Sequence, residues 1–77
     1  MTFEELFEKM EMNEKGGVAA IAKDHILQMK KNLIITNNDN YNWLNGFLWG
    51  LNGAGFISAA EKEDLMNIVF KLWTKKE

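Results

Sequence analysis

From Asn40 to Ala60 the chain runs 21 residues without a charge, in a sequence whose overall charged fraction is 26%. Five of its nine aromatics, four of its six glycines and four of its nine asparagines fall in that stretch. So large an uncharged segment must be covered over most of its surface by something other than water. It is not a plain apolar run, because Leu44-Asn45-Gly46 recurs seven residues later as Leu51-Asn52-Gly53. That repeat is a helical period with distinct faces. The stretch therefore reads both as the centre of the core and as the best candidate contact surface.

The length of the segment matches the roughly 20 residues that cross a bilayer. Its four asparagines and interrupting glycines make insertion costly, and no lysine cluster flanks it to set an orientation. No membrane span is expected. Glu4 and Glu5 stand where a signal peptide needs basic residues, so the expected location is cytoplasmic.

A chain of 77 residues makes one domain, residues 1–77, near the size where a single core is barely sufficient and oligomerisation is a common supplement. Its net charge of −2 supplies no strong field toward nucleic acid or anionic membrane. All nine basic residues are lysine. Without arginine the chain lacks the bidentate donor that recognises phosphate and guanine edges. With no cysteine, disulfides and thiolate metal sites are excluded.

The periodicity predicts three to four short helices. Thr2 and Glu5 have capping-box spacing, and Phe3, Leu6, Phe7 and Met10 then form one apolar stripe. Glu4, Glu8 and Glu11 share another face, which reads as solvated. Gly16-Gly17 interrupt the pattern. A second helix is predicted from Val18 to about Leu33, with Val18, Ile21, Ala22, His25, Ile26, Met29 and Leu33 in one arc. Leu33-Ile34-Ile35-Thr36 has strand-like branching but no visible strand to pair with, so it reads as a helix end entering the turn Asn37-Asn38-Asp39-Asn40. Asp39 or Asn40 is the expected cap of the third helix.

That third helix, Tyr41 to about Ala54, places Tyr41, Leu44, Phe47, Leu48 and Leu51 on a core-facing side. Beside it Gly46, Gly50 and Gly53 form a strip without side chains, each glycine costing about 1 kcal/mol of helix propensity. Two explanations fit: close packing against another helix of the same chain, or close contact with a partner or a second copy. Trp49 projects away from the leucines, among Asn42, Asn45 and Asn52. An outward tryptophan ringed by uncharged polar groups has the composition of an interface anchor, unless the first helix or a terminus folds over it. The Asn-Gly pairs are not hairpin turns, because their flanks repeat every seven residues rather than alternating.

Gly55 is a natural stop, and Ser58 with Glu61 repeats the capping-box spacing, so a fourth helix is predicted from about Ala59. Glu61, Glu63 and Asp64 crowd its start, and Lys71, Lys75 and Lys76 its end, as the helix dipole favours. Leu65, Met66, Ile68, Val69, Phe70, Leu72 and Trp73 span more than half its circumference, which predicts cover from two sides. The acidic start opposes use of this helix as a DNA-reading element. Direct nucleic-acid binding is accordingly not expected.

Catalytic ingredients are sparse. His25 is the only histidine and falls on the apolar arc of the second helix, where a core-edge role is the simpler reading. No metal-ligand cluster, phosphate loop or nucleophile motif is visible, so neither enzyme activity nor a cofactor is expected.

Gly55-Phe56-Ile57-Ser58-Ala59-Ala60-Glu61, followed by Leu65 and Ile68, resembles a helical hairpin common in small proteins of phages and mobile elements. In size and lysine- and asparagine-rich composition the chain is similar to phage-encoded inhibitors of bacterial machinery, anti-CRISPR proteins among them. The resemblance implies stoichiometric binding to a host protein or ribonucleoprotein and occlusion of its working surface. The sequence thus leads to an all-α, compact bundle of three to four helices ending in a helical hairpin. Its expected role is protein binding through Asn42, Asn45, Gly46, Trp49, Gly50, Asn52 and Gly53. A homodimerising scaffold and a nucleic-acid-associated regulator are the alternatives.

Overall fold

In the computed structural model, residues 1–13 and 17–75 are described, for Val18 the backbone alone. Gly16, Lys76 and the Val18 side chain, which entered the sequence reading, lie outside the described residues. The chain forms α1 (Phe3–Asn13), α2 (Val18–Asn32), β1 (Ile34–Ile35), α3 (Asp39–Gly53) and α4 (Ala59–Ile68). The last helix widens into a π-helical turn, Val69–Trp73, followed by β2 (Thr74–Lys75). This is a mainly α-helical bundle with one two-strand parallel pair.

Both predicted capping boxes form. Thr2 and Glu5 exchange their bonds at the start of α1: the Glu5 amide donates to Thr2 Oγ1 and the Thr2 amide to Glu5 Oε1. At α4 the Glu61 amide donates to Ser58 Oγ, 3.1 Å, while Glu61 Oε1 accepts from the Ser58 amide at 2.8 Å. Each pair satisfies two amides that a helix start leaves without partners. Between α3 and α4, Gly55 takes φ 76°, and the Gly55 and Phe56 amides donate back to Asn52 O and Leu51 O. This is a Schellman stop, and the positive φ is why glycine suits it.

The cap of α3 lies earlier than expected. Asn38, not Asp39 or Asn40, is the cap, its Oδ1 accepting from the Tyr41 amide at 2.9 Å. Asp39 instead sits in the first turn, where its charge complements the dipole. The strand-like run Leu33–Thr36 is also corrected. Ile34 and Ile35 pair in parallel with Thr74 and Lys75, a partner 40 residues away too short to show a pattern of its own. Leu33, at φ 51°, turns the chain from α2 into that bridge.

The core is built from Phe3, Leu6, Phe7 and Met10 of α1, as predicted, with Leu44 and Leu48 of α3 and Leu65, Met66, Val69 and Trp73 near the chain's end. Phe3 stacks on Trp73 with ring centroids 4.2 Å apart. On α2 the buried residues are Ala19, Ala22, Ile26 and Met29. The predicted arc is therefore turned: Ile21, His25 and Leu33 are exposed, while Ala19 and Ala22 face Met10 of α1 and Phe47 and Leu51 of α3. The end of the chain departs likewise. Phe70 is half exposed and Leu72 largely exposed, so cover from two sides does not extend to them. Phe70 meets Tyr41 on one flank only, 5.7 Å between centroids.

Candidate protein-contact face on α3

Helix α3 has an inner face set into the core and an outer face set in solvent. Leu44 and Leu48 are fully buried, with Tyr41, Phe47 and Leu51 half buried beside them. Once those leucines point inward, the 100° turn per residue sends Trp43, Gly46, Gly50, Gly53, Asn42 and Trp49 outward. No residue from Asn40 to the helix end carries a charge.

The glycine strip is uncovered. A Cβ placed on Gly46, Gly50 or Gly53 would meet no atom within 4 Å beyond its own helix and chain neighbours. The expectation of close packing against another helix of the same chain is therefore overturned. The neighbouring helices approach α3 from its leucine side, leaving the glycines on the opposite one.

Trp49 is 56% exposed, and α1 does not cover it. Its neighbours differ from those expected. Lys62, from α4, holds its ammonium 3.9 Å from the centre of the Trp49 ring, a cation–π contact, so the indole is not ringed by neutral groups alone. Asn42 is exposed and Asn45 half buried. Asn52 is engaged within the fold, where its Nδ2 donates to Ile57 O at 3.1 Å and ties α3 to the loop before α4. Lys9 of α1 bonds Phe56 O in the same loop. The predicted set thus shares one helix, with Trp49, Asn42 and the three glycines open and Asn52 already bonded.

Sequence reasoning missed the other border of this face. Trp43 stacks on Phe47 at 5.1 Å with planes 6° apart, and His25 meets Trp43 edge-on at 4.5 Å. With Ile21 and Ala22 of α2 these rings line an open groove of about 520 Å³. The i, i+4 spacing of Trp43 and Phe47 was a visible signal. His25 was not, because the sequence placed it on the buried arc. Among the described residues, no group of three or more His, Cys, Asp or Glu could hold a metal ion, and no helix is long and apolar enough to cross a membrane.

No protein-family model, curated protein or solved structure matches this chain.

Proposed function

We propose that this chain is a non-enzymatic protein-binding module that works by covering part of another protein with the outer face of α3. The observation that carries this reading is Trp49, a large indole left more than half exposed on a helix that carries no charge of its own after Asp39. Leaving such a ring in water forgoes the stabilisation its burial would bring. Its use against a partner recovers that stabilisation. Asn42, Asn45 and the surface of Gly46, Gly50 and Gly53 supply hydrogen-bonding groups and close backbone access around it.

In keeping with the phage-inhibitor resemblance, the partner is a bacterial protein or ribonucleoprotein in the cytoplasm, and the mechanism is steric occlusion in a defined stoichiometry. The test is capture from bacterial lysate by the wild type, Trp49→Ala and Gly50→Glu, each first shown to be folded. The expected result is one stoichiometric partner retained by the wild type and lost by both variants. Equal retention by all three would remove α3 from the contact.

A further inference from the structure

Helix α2 fills the core unevenly along its length. Ile26 and Met29 are large and buried, whereas toward the start of the helix the buried positions are held by Ala19 and Ala22. Opposite those two methyls stand Met10 of α1, Phe47 and Leu51 of α3 and Phe56 of the loop before α4. These walls do not meet, and they leave a hollow of about 190 Å³. We propose that this hollow binds one small, uncharged, single-ring apolar molecule. The proposal stands apart from any contact through the outer face of α3, since Phe47 and Leu51 belong to the core-facing side of that helix.

Size and polarity select that class of ligand. An apolar cavity of about 150 Å³ stays dry and takes up one benzene ring, so the hollow of about 190 Å³ admits a ring with small alkyl substituents. It is below the range that drug-sized molecules occupy. No charged residue lines it, and its one polar lining residue is the exposed Asn13, whose Nδ2 already donates to Lys9 O at 2.8 Å. Lys9 in turn holds the Phe56 wall, its ammonium bonded to Phe56 O and 4.9 Å from the ring centre, so that cation is engaged within the fold. A water molecule needs about two to four polar partners to be held inside a protein. The hollow offers too few, so a ring displaces poorly held water and gains contact with apolar atoms on several sides. The same shortage of polar groups favours a free molecule over a side chain of a partner protein. Such a side chain would bring its peptide groups along, and Asn13 is the one lining residue able to receive them.

The test is an NMR titration with benzene of protein carrying carbon-13 in its alanine methyl groups. Of the six alanines, Ala19 and Ala22 line the hollow, and Ala20, Ala54, Ala59 and Ala60 are exposed. Saturable shifts confined to Ala19 and Ala22, half complete at or below about 1 mM benzene, are the expected result. Ala19→Leu puts its own side chain into the space and is expected to weaken benzene binding at least about tenfold while the chain stays helical. Leu51→Ala enlarges the same space and is expected to raise the preference for p-xylene over benzene at least about tenfold. The second variant decides the matter if the first does not fold. N-acetylphenylalanine amide, which carries the same ring on peptide groups, should bind at least about tenfold more weakly than benzene. The reverse order would assign the hollow to a partner's side chain and overturn the proposal. Absence of any shift overturns it too, as do shifts that spread over all six alanines without saturating, which mark partition onto apolar surface. Benzene binding unchanged in both variants would place the ring elsewhere, with the same consequence.

Discussion

Helices α1 and α3 are both short, both amphipathic and both packed into the same core, yet their outer faces are built on opposite terms. The outside of α1 carries Glu4, Glu5, Glu8 and Glu11, with Glu11 paired to Lys23 at 3.0 Å. Water solvates that face, and it asks for no partner. The outside of α3 carries two tryptophans and three helix-weakening glycines, with its one charge, Asp39, at the N-terminal end. Nothing within the described fold uses the space over those glycines. One helix is arranged for the stability of the monomer, and the other gives up some stability on the side that the monomer does not need.

The sharpest way to break that contrast uses adjacent residues on opposite faces of α3. Leu48→Ala empties a fully buried site and is expected to cost about 2–5 kcal/mol in urea unfolding. Trp49→Ala removes an exposed ring and a surface cation–π contact, for about 1 kcal/mol or less. Comparable losses at both positions would mean that Trp49 belongs to the core and that the outer face is not spare. Next in size, Ser58→Ala removes a cap that neither face of α3 depends on, with an expected loss of about 1 kcal/mol.

Gly50→Ala moves in the other direction. With open space at the Cβ and no positive φ, alanine should raise the stability of the monomer by about 1 kcal/mol, visible as a higher urea midpoint at low protein concentration. A loss there would show that the strip is already packed. The smallest effect is electrostatic and tests the α4 start. The Ser58 amide holds the Glu61 carboxyl below its ordinary value, with the Ser58 hydroxyl adding to it. A lowered folded pKa means that this stabilisation is present above the unfolded value near 4.5 and is lost as pH falls through the folded value. Acid unfolding of Glu61→Gln should therefore lose part of the wild-type pH dependence below about pH 4.5.

The parts of this molecule that could be read from the sequence are those governed by neighbours a few residues apart. Thr2 with Glu5, Ser58 with Glu61 and the stop at Gly55 act within one helical turn, and each forms where its spacing places it. The buried stripe of α1 and the leucines of α3 follow from period alone. Trp49 was legible as outward for the same reason, since Leu44 and Leu48 fix the direction of their helix. The arc of α2 was not. Its apolar residues cover several directions, and only the packing of α1 and α3 around Ala19 and Ala22 selects which are buried. His25 and Ile21 consequently moved from expected core to the wall of a groove.

By itself, then, the sequence determined a bundle of three to four helices, most of their ends and the uncharged run that follows Asp39 in α3, because capping and periodicity are local chemistry. Tertiary structure decided three other matters: that Ile34–Ile35 finds a strand partner at Thr74–Lys75, that Lys62 lies on Trp49, and that the glycines face solvent. Each depends on where a distant segment comes to rest. No spacing within a helix encodes that position, which is set by the packing of all the helices together.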